Sequence, residues 1–203
     1  MVEGKMIKRI EFPSLRQSYN YSCGASVTQA LMFYYGKDFR EKELINDLNT
    51  GRKGTTLKNL TKFFKGRGFK VKQGEGYTAE DIKGYIKRDI PVILVLQAWP
   101  EKEEKDWEEE YSNGHYVVAV GYTDKGFLFS DPSSLYMTFL TYEKLEKRWH
   151  DKDGDKKYEH YVLIPYGKPP KYEKDKIIVM GSISGEIRKL ANRFLNILLI
   201  WNY

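Results

Sequence analysis

The sequence predicts an α+β fold, and two observations lead there. The first half of the chain carries helical periodicity with a glycine stop, and the second half carries short runs rich in Val, Tyr and Phe, divided by Gly, Asp and Lys. Helices first and an antiparallel sheet afterwards is the order of an α+β domain.

The elements follow in sequence. Val27, Ala30, Leu31 and Tyr34 recur at i, i+3, i+4 and i+7, which predicts an amphipathic helix over residues 23–35, stopped by Gly36. Residues 41–49 (EKELINDLN) and 56–66 (TLKNLTKFFKG) read as two further helices. A fourth, over 79–88 (AEDIKGYIKR), follows Thr78 as its N-cap. Strands are expected in PVILVLQ from Pro91, HYVVAVGY from His115, GFLFSD from Gly126 and HYVLIPY from His160. There is no internal repeat. After Pro165 the pattern weakens, so residues 1–166 read as one domain and 167–203 as a linker and tail. In that tail Ile187, Leu190, Phe194, Ile197 and Trp201 lie at helical spacing, beside Arg188, Lys189 and Arg193. This pattern fits a docked terminal helix, or contact of residues 183–201 with a partner or a membrane surface.

Composition narrows the function. The 203 residues are 41% hydrophobic and 15% aromatic, enough for a sizeable core. The net charge is +6, from 34 basic and 28 acidic residues, but the signs are interspersed, as in EKEEKDWEEE. That is a solvated surface rather than a phosphate-binding stripe, so no nucleic-acid partner is expected. A single cysteine excludes an internal disulfide and a Cys-rich zinc site, and suits a reducing compartment. No signal-peptide pattern opens the chain, and the apolar run 197–201 is too short to cross a bilayer, so a cytoplasmic location is expected.

Cys23, the single thiol, stands where its helix should begin. A buried cysteine is commonly a small inert hydrophobe. A cysteine at a helix N-terminus beside an imidazolium is a nucleophile. Gly24 is expected to leave room for a substrate carbonyl. There are three histidines. His115 opens an apolar strand, which suits either a core histidine or a rigidly held base. His150 and His160 flank the charged segment HDKDGDKKYEH and read as surface or strand-end residues. An imidazole base needs an orienting partner on its other nitrogen. A hairpin through GYTDKG would return Asp131 to His115, although Asp131-Pro132 alone is an ordinary turn. Gln17, six residues before the cysteine, can donate its amide to a developing oxyanion alongside the Cys23 N–H.

Taken together, Q-x5-C-G-A from Gln17 to Ala25, FYYG, GTTLKNL, DIPVILVL, NGHYVVAVGY and FSDP resemble the peptidase C39-like, bacteriocin-processing group of papain-fold cysteine peptidases over residues 12–165. The resemblance implies a papain-like fold. It also implies Cys23 as nucleophile, His115 as base, Asp131 as its orienter and Gln17 as oxyanion donor, acting on a peptide or protein substrate with no metal or organic cofactor. Ser22 stands where transporter-fused members usually carry Asp, and no transporter segments follow, which points to the stand-alone branch. Acyl transfer or deamidation on the same fold, and a non-catalytic peptide-binding module, are the alternatives. The insertion AWPEKEEKDWEEEYSN before His115 reads as a solvated loop or as an acidic flap favouring basic substrates. DKDGD, residues 151–155, lacks the Gly and Glu spacing of a calcium loop and reads as a charged turn. Gly66 and Gly68 mark a helix-to-strand turn rather than a phosphate loop.

Overall fold

The structure is a computed structural model that describes residues 4–99 and 106–177. It orders, along the chain, β1 (Met6–Arg9), α1 (Cys23–Tyr34), α2 (Glu41–Asp47), α3 (Leu57–Gly66), β2 (Lys70–Gly74), α4 (Ala79–Ile86), β3 (Val92–Gln97), β4 (Gly114–Thr123), β5 (Gly126–Ser130), β6 (Thr138–Thr141), α5 (Tyr142–Glu146), β7 (His150–Asp153), β8 (Lys156–Glu159) and β9 (Val162–Tyr166). The expected α+β class holds. All four expected helices form, each within two residues of its expected start and end.

Local chemistry sets the helix starts. Thr78 Oγ1 accepts from the Asp81 N–H at 3.2 Å while the Asp81 carboxylate accepts from the Thr78 N–H at 2.9 Å, a reciprocal cap. Thr56 does the same one-sidedly for α3, accepting from the Asn59 N–H. Helix α1 departs from expectation. Periodicity predicts one apolar stripe, yet within Cys23–Tyr34 only Gln29 and Phe33 escape burial. It is a central helix, held between the sheet and α2. Thr28 tolerates that position because its hydroxyl donates to the Gly24 carbonyl one turn back, at 2.7 Å.

The main sheet runs β2-β9-β3-β4-β5-β6, every neighbour antiparallel, with β1 pairing to β4 beyond the stretch that β3 occupies. The last strand in sequence, β9, therefore sits between β2 and β3. Strand β3 is buried along its whole length, including Gln97, which is 0% exposed. Strands β7 and β8 form a separate two-stranded ribbon whose turn carries Gly154 at φ +62°. The expected charged turn is thus confined to Gly154 and Asp155, while Asp151, Lys152 and Asp153 of the DKDGD segment are paired residues of β7. Strand β9 starts two residues later than expected, because His160 takes a left-handed φ of +50° and stacks on Trp149 with 4.9 Å between ring centres.

The polar stretch after β9 returns to α1. Both the Lys171 and Tyr172 N–H groups donate to the Tyr34 carbonyl, at 2.9 and 3.1 Å, and the Tyr172 ring meets Phe33 edge-on. These bonds satisfy a helix-end carbonyl that would otherwise lack a partner. The tail pattern over 183–201 lies outside the described residues. Among the described residues no helix is long and apolar enough to cross a membrane.

Candidate active site

Cys23 is the first residue of α1, so it stands at the positive end of the helix, where the leading N–H groups lack intrahelical acceptors. The side chain is 7% exposed and sits in the wall of a cleft of about 390 Å³. Helix α1 packs on β4, whose second residue is His115. The β4–β5 hairpin pairs Val118 with Ser130, so the chain leaving β5 carries Asp131 alongside His115. His115 Nε2 meets Asp131 Oδ1 at 2.8 Å, and both residues are buried, at 7% and 4% exposure.

The electrostatics of this trio favour a charged imidazole. Burial pulls the His115 pKa down, but the Asp131 hydrogen bond and the Cys23 sulfur outweigh burial and lift it from 6.5 to about 9. Burial pushes Asp131 up, and its bond to His115, with help from Ser133 N–H and Trp99, brings it below the ordinary carboxylate value. Four donors converge on this carboxylate: His115, the Ser133 N–H at 2.9 Å, Trp99 Nε1–H at 3.1 Å and Thr138 Oγ1–H at 3.2 Å. Trp99 reaches it from a left-handed φ of +56°.

The structure brings three of the four expected residues together, and holds Gln17 by other bonds. The Gln17 backbone N–H donates to the Pro132 carbonyl at 2.9 Å, and its Oε1 accepts from Ser133 Oγ at 3.3 Å. Its Nε2 donates to the Tyr19 carbonyl at 2.7 Å, which uses one of its two hydrogens. The loop before Cys23 is thereby tied to the loop after Asp131.

One sequence expectation needs correction and one is narrowed. Gly24 does not hold space for substrate: a Cβ there would lie 2.6 Å from Thr55 Cβ and Oγ1, so the missing side chain admits Thr55. Thr55 in turn bonds Thr50 Oγ1 at 2.6 Å and accepts the Tyr116 hydroxyl on its carbonyl at 2.9 Å, fixing the far wall of the cleft. His150 takes the strand-end alternative, as the first residue of β7, and is not at the surface. It is 7% exposed, with Nε2 on the Glu110 carbonyl at 2.8 Å and its ring against Tyr111. His160 is a strand-end residue, paired with Glu146 at 3.1 Å.

Residues that sequence reasoning missed surround the trio. Trp99 and Thr138 hold Asp131. The Glu41 carboxylate accepts from the Ser18 N–H at 3.0 Å, from the Ser18 hydroxyl and from Ser22 Oγ at 2.7 Å, bracing the loop that leads into Cys23. Gln97 bridges three segments: Nε2 donates to Asp151 Oδ1 at 3.0 Å and to the His150 carbonyl at 3.2 Å, and Oε1 accepts from the Asn113 N–H at 2.9 Å. No short-range pattern announces such partners. Of the insertion before His115, residues 100–105 lie outside the described residues. From the described part, Trp107 lies under the Arg148 guanidinium at 3.7 Å. Among the described residues no cluster of three or more His, Cys, Asp or Glu is placed to hold a metal.

Comparison with known proteins decides the family. The profile of the peptidase C39 family matches residues 11–152, which contain the cysteine, the histidine and the aspartate. The chain belongs to the peptidase C39 family. No curated protein sequence matches it significantly. Among solved structures, a C39-like protein from Bacillus anthracis superposes with a TM-score of 0.62 at 17% identity, covering 81% of this chain and 100% of that one. A double-glycine motif protease from an AMS/PCAT transporter, solved with its leader peptide, gives 0.56 at 19% identity, covering 82% and 100%. The peptidase domain of Streptococcus ComA, a bifunctional ABC transporter in quorum sensing, gives 0.55 at 18%, covering 74% and 95%. At these identities the likeness establishes the fold, the papain-like arrangement of C39 peptidase domains.

Proposed function

We propose that this C39 family member is a cysteine peptidase that hydrolyses peptide bonds through a Cys23 acyl-enzyme. One observation carries the reading: Cys23 at the head of a buried helix, beside a His115 whose other nitrogen is held by buried Asp131. With the imidazole protonated and Asp131 ionised, His115 keeps a proton next to sulfur. The Cys23 thiolate attacks the substrate carbonyl, and the oxyanion is met by the Cys23 N–H and by the second hydrogen of Gln17 Nε2. His115 then delivers its proton to the departing amine as the C–N bond breaks, leaving a thioester. Water, losing a proton to His115, hydrolyses the thioester to acid and returns the resting pair.

The bond from Asp131 to Nε2 turns Nδ1 toward sulfur, and the Trp99 and Thr138 bonds hold the carboxylate in register with the ring. The test is incubation of the purified chain and of Cys23→Ala with a synthetic peptide library under reducing conditions, read by mass spectrometry with and without an added amine. Cleavage by wild type alone, giving free acids, is the expected result. Amide products only in the presence of the amine would instead indicate acyl transfer. Cleavage retained in Cys23→Ala overturns the mechanism.

A further inference from the structure

The cleft that contains Cys23 is also lined by a carboxylate that the proposed chemistry does not use. Asp151 lies on β7 and lines the same 390 Å³ cavity. Its position over Gly114, the residue before His115, is close: a Cβ built on Gly114 would lie 2.5 Å from Asp151 Oδ1. Any side chain at 114 would displace the carboxylate or close the cleft. Gln97, fully buried and with its carbonyl already engaged, donates to Oδ1 and fixes the group in place.

No cation pairs with Asp151 among the described residues. Arg52 and Lys53, on the turn between Gly51 and Gly54, line the cavity too, as does Lys152, the residue after Asp151; all three are exposed. The Gln97 amide, the Lys152 backbone and the nearby His150 favour the charged form of Asp151 but do not outweigh its burial, so a bound cation would relieve a remaining desolvation cost. Burial indeed pushes its pKa above the ordinary carboxylate value. Tyr111, Tyr116 and Tyr158 line the same space; lysines of the ribbon already lie over two of these rings, Lys157 over Tyr111 at 4.5 Å and Lys156 over Tyr158 at 4.7 Å, which shows that the rings accept a cationic stem.

We infer that Asp151 makes this cavity a recognition subsite for a lysine or arginine side chain of the substrate, close to the scissile bond. The inference rests on the peptidase reading for the word substrate, but the cation site itself does not need it. The acidic selectivity lies on the β7–β8 ribbon, formed by the segment whose charges read as a mere turn.

Two measurements on wild type and Asp151→Asn separate the possibilities. Asn keeps the shape and the bond from Gln97. The first is the alkylation rate of Cys23, the only thiol, by cationic 2-bromoethylamine and by neutral iodoacetamide. The expected result is a several-fold slower reaction with bromoethylamine in Asp151→Asn and an unchanged rate with iodoacetamide. The second is cleavage of a positional-scanning peptide library. Wild type should prefer Lys or Arg at one position near the cut, and Asp151→Asn should lose that preference by about ten- to a hundredfold, the worth of a bond to a charged group. Charge-selective alkylation without any cleavage keeps the cation subsite and removes the peptidase. Cleavage with no basic preference, or with one unchanged in Asp151→Asn, overturns the subsite and leaves the peptidase standing. Equal response of both reagents to the substitution, with no cleavage, removes both.

Discussion

Replacing Asp131 by Asn changes a charge at nearly constant shape, and the structure sets the size of the effect. Lifting His115 from 6.5 to about 9 corresponds, at about 1.4 kcal/mol per factor of ten, to roughly 3 kcal/mol in favour of imidazolium in the folded chain. Asp131 and Cys23 share that sum against burial, which acts the other way. Asn has one acceptor oxygen in place of two. If it faces His115 and the Ser133 N–H, its NH2 group opposes Trp99 Nε1–H, which loses its partner; Trp99 is 53% exposed, so water takes over cheaply. A loss of about 2 kcal/mol of stability near pH 6 is therefore expected for Asp131→Asn, read by urea denaturation. His115 is raised on folding, so its contribution is full below 6.5 and disappears as pH climbs through about 9. Asp131 is lowered on folding, so its contribution is present above the ordinary 3.8 and is lost as pH falls through its lower native value. The gap between wild type and variant should accordingly be widest from about pH 4 to 6.5 and shrink toward pH 10. Peptidase activity should fall on the order of a hundredfold or more. A stability gap that stays flat from about pH 5 to 10, or full activity in the variant, would refute the assignment of the buried pair.

Wild-type activity itself should decline as pH rises through about 9, because the leaving amine then lacks its proton donor; an initial-rate profile on any cleaved library peptide checks this. Gly24→Ala should cost about 1–3 kcal/mol by driving a methyl into Thr55, measured by denaturation, and the double variant Gly24→Ala/Thr55→Gly should recover part of that loss. Glu41→Gln should loosen the loop that carries Gln17 and Ser22, lowering kcat about tenfold with little change in KM if the bonds it weakens position Gln17 as the proposed oxyanion donor rather than the substrate. Thr78→Ala should remove about 1 kcal/mol of stability and leave activity untouched, a control for substitutions far from the cleft.

Much of this arrangement was legible in the residues, for identifiable reasons. Caps and stops are local chemistry, so Thr78 and Gly36 mark helix ends without knowledge of the fold. The hairpin through GYTDKG converts sequence distance into adjacency, so Asp131 could be placed beside His115 from strand pairing alone. What stayed hidden depends on contacts across long separations. The all-round burial of α1 escaped because Ser26 and Thr28 look polar, and only the Thr28 back-bond explains its tolerance. The β7–β8 ribbon is nearly all charged and half in solvent, so it has no apolar alternation to read. Gly24 could be suspected of serving a close approach, but that Thr55 is the approaching group follows only from the fold.

The place of β9 in the main sheet has a consequence for how the molecule is made. Its two neighbours, β2 and β3, are synthesised well before it, and they share no ladder of their own. During translation each therefore waits with an open hydrogen-bonding edge, one that any other extended chain could occupy. Only when residues 162–166 emerge from the ribosome can the gap between β2 and β3 close. The Lys171 and Tyr172 amides arrive a few residues later to seal the far end of the helix that carries Cys23. A ribosome stalled before that point has already synthesised Cys23, His115 and Asp131, while β2 is not yet joined to the rest of the sheet.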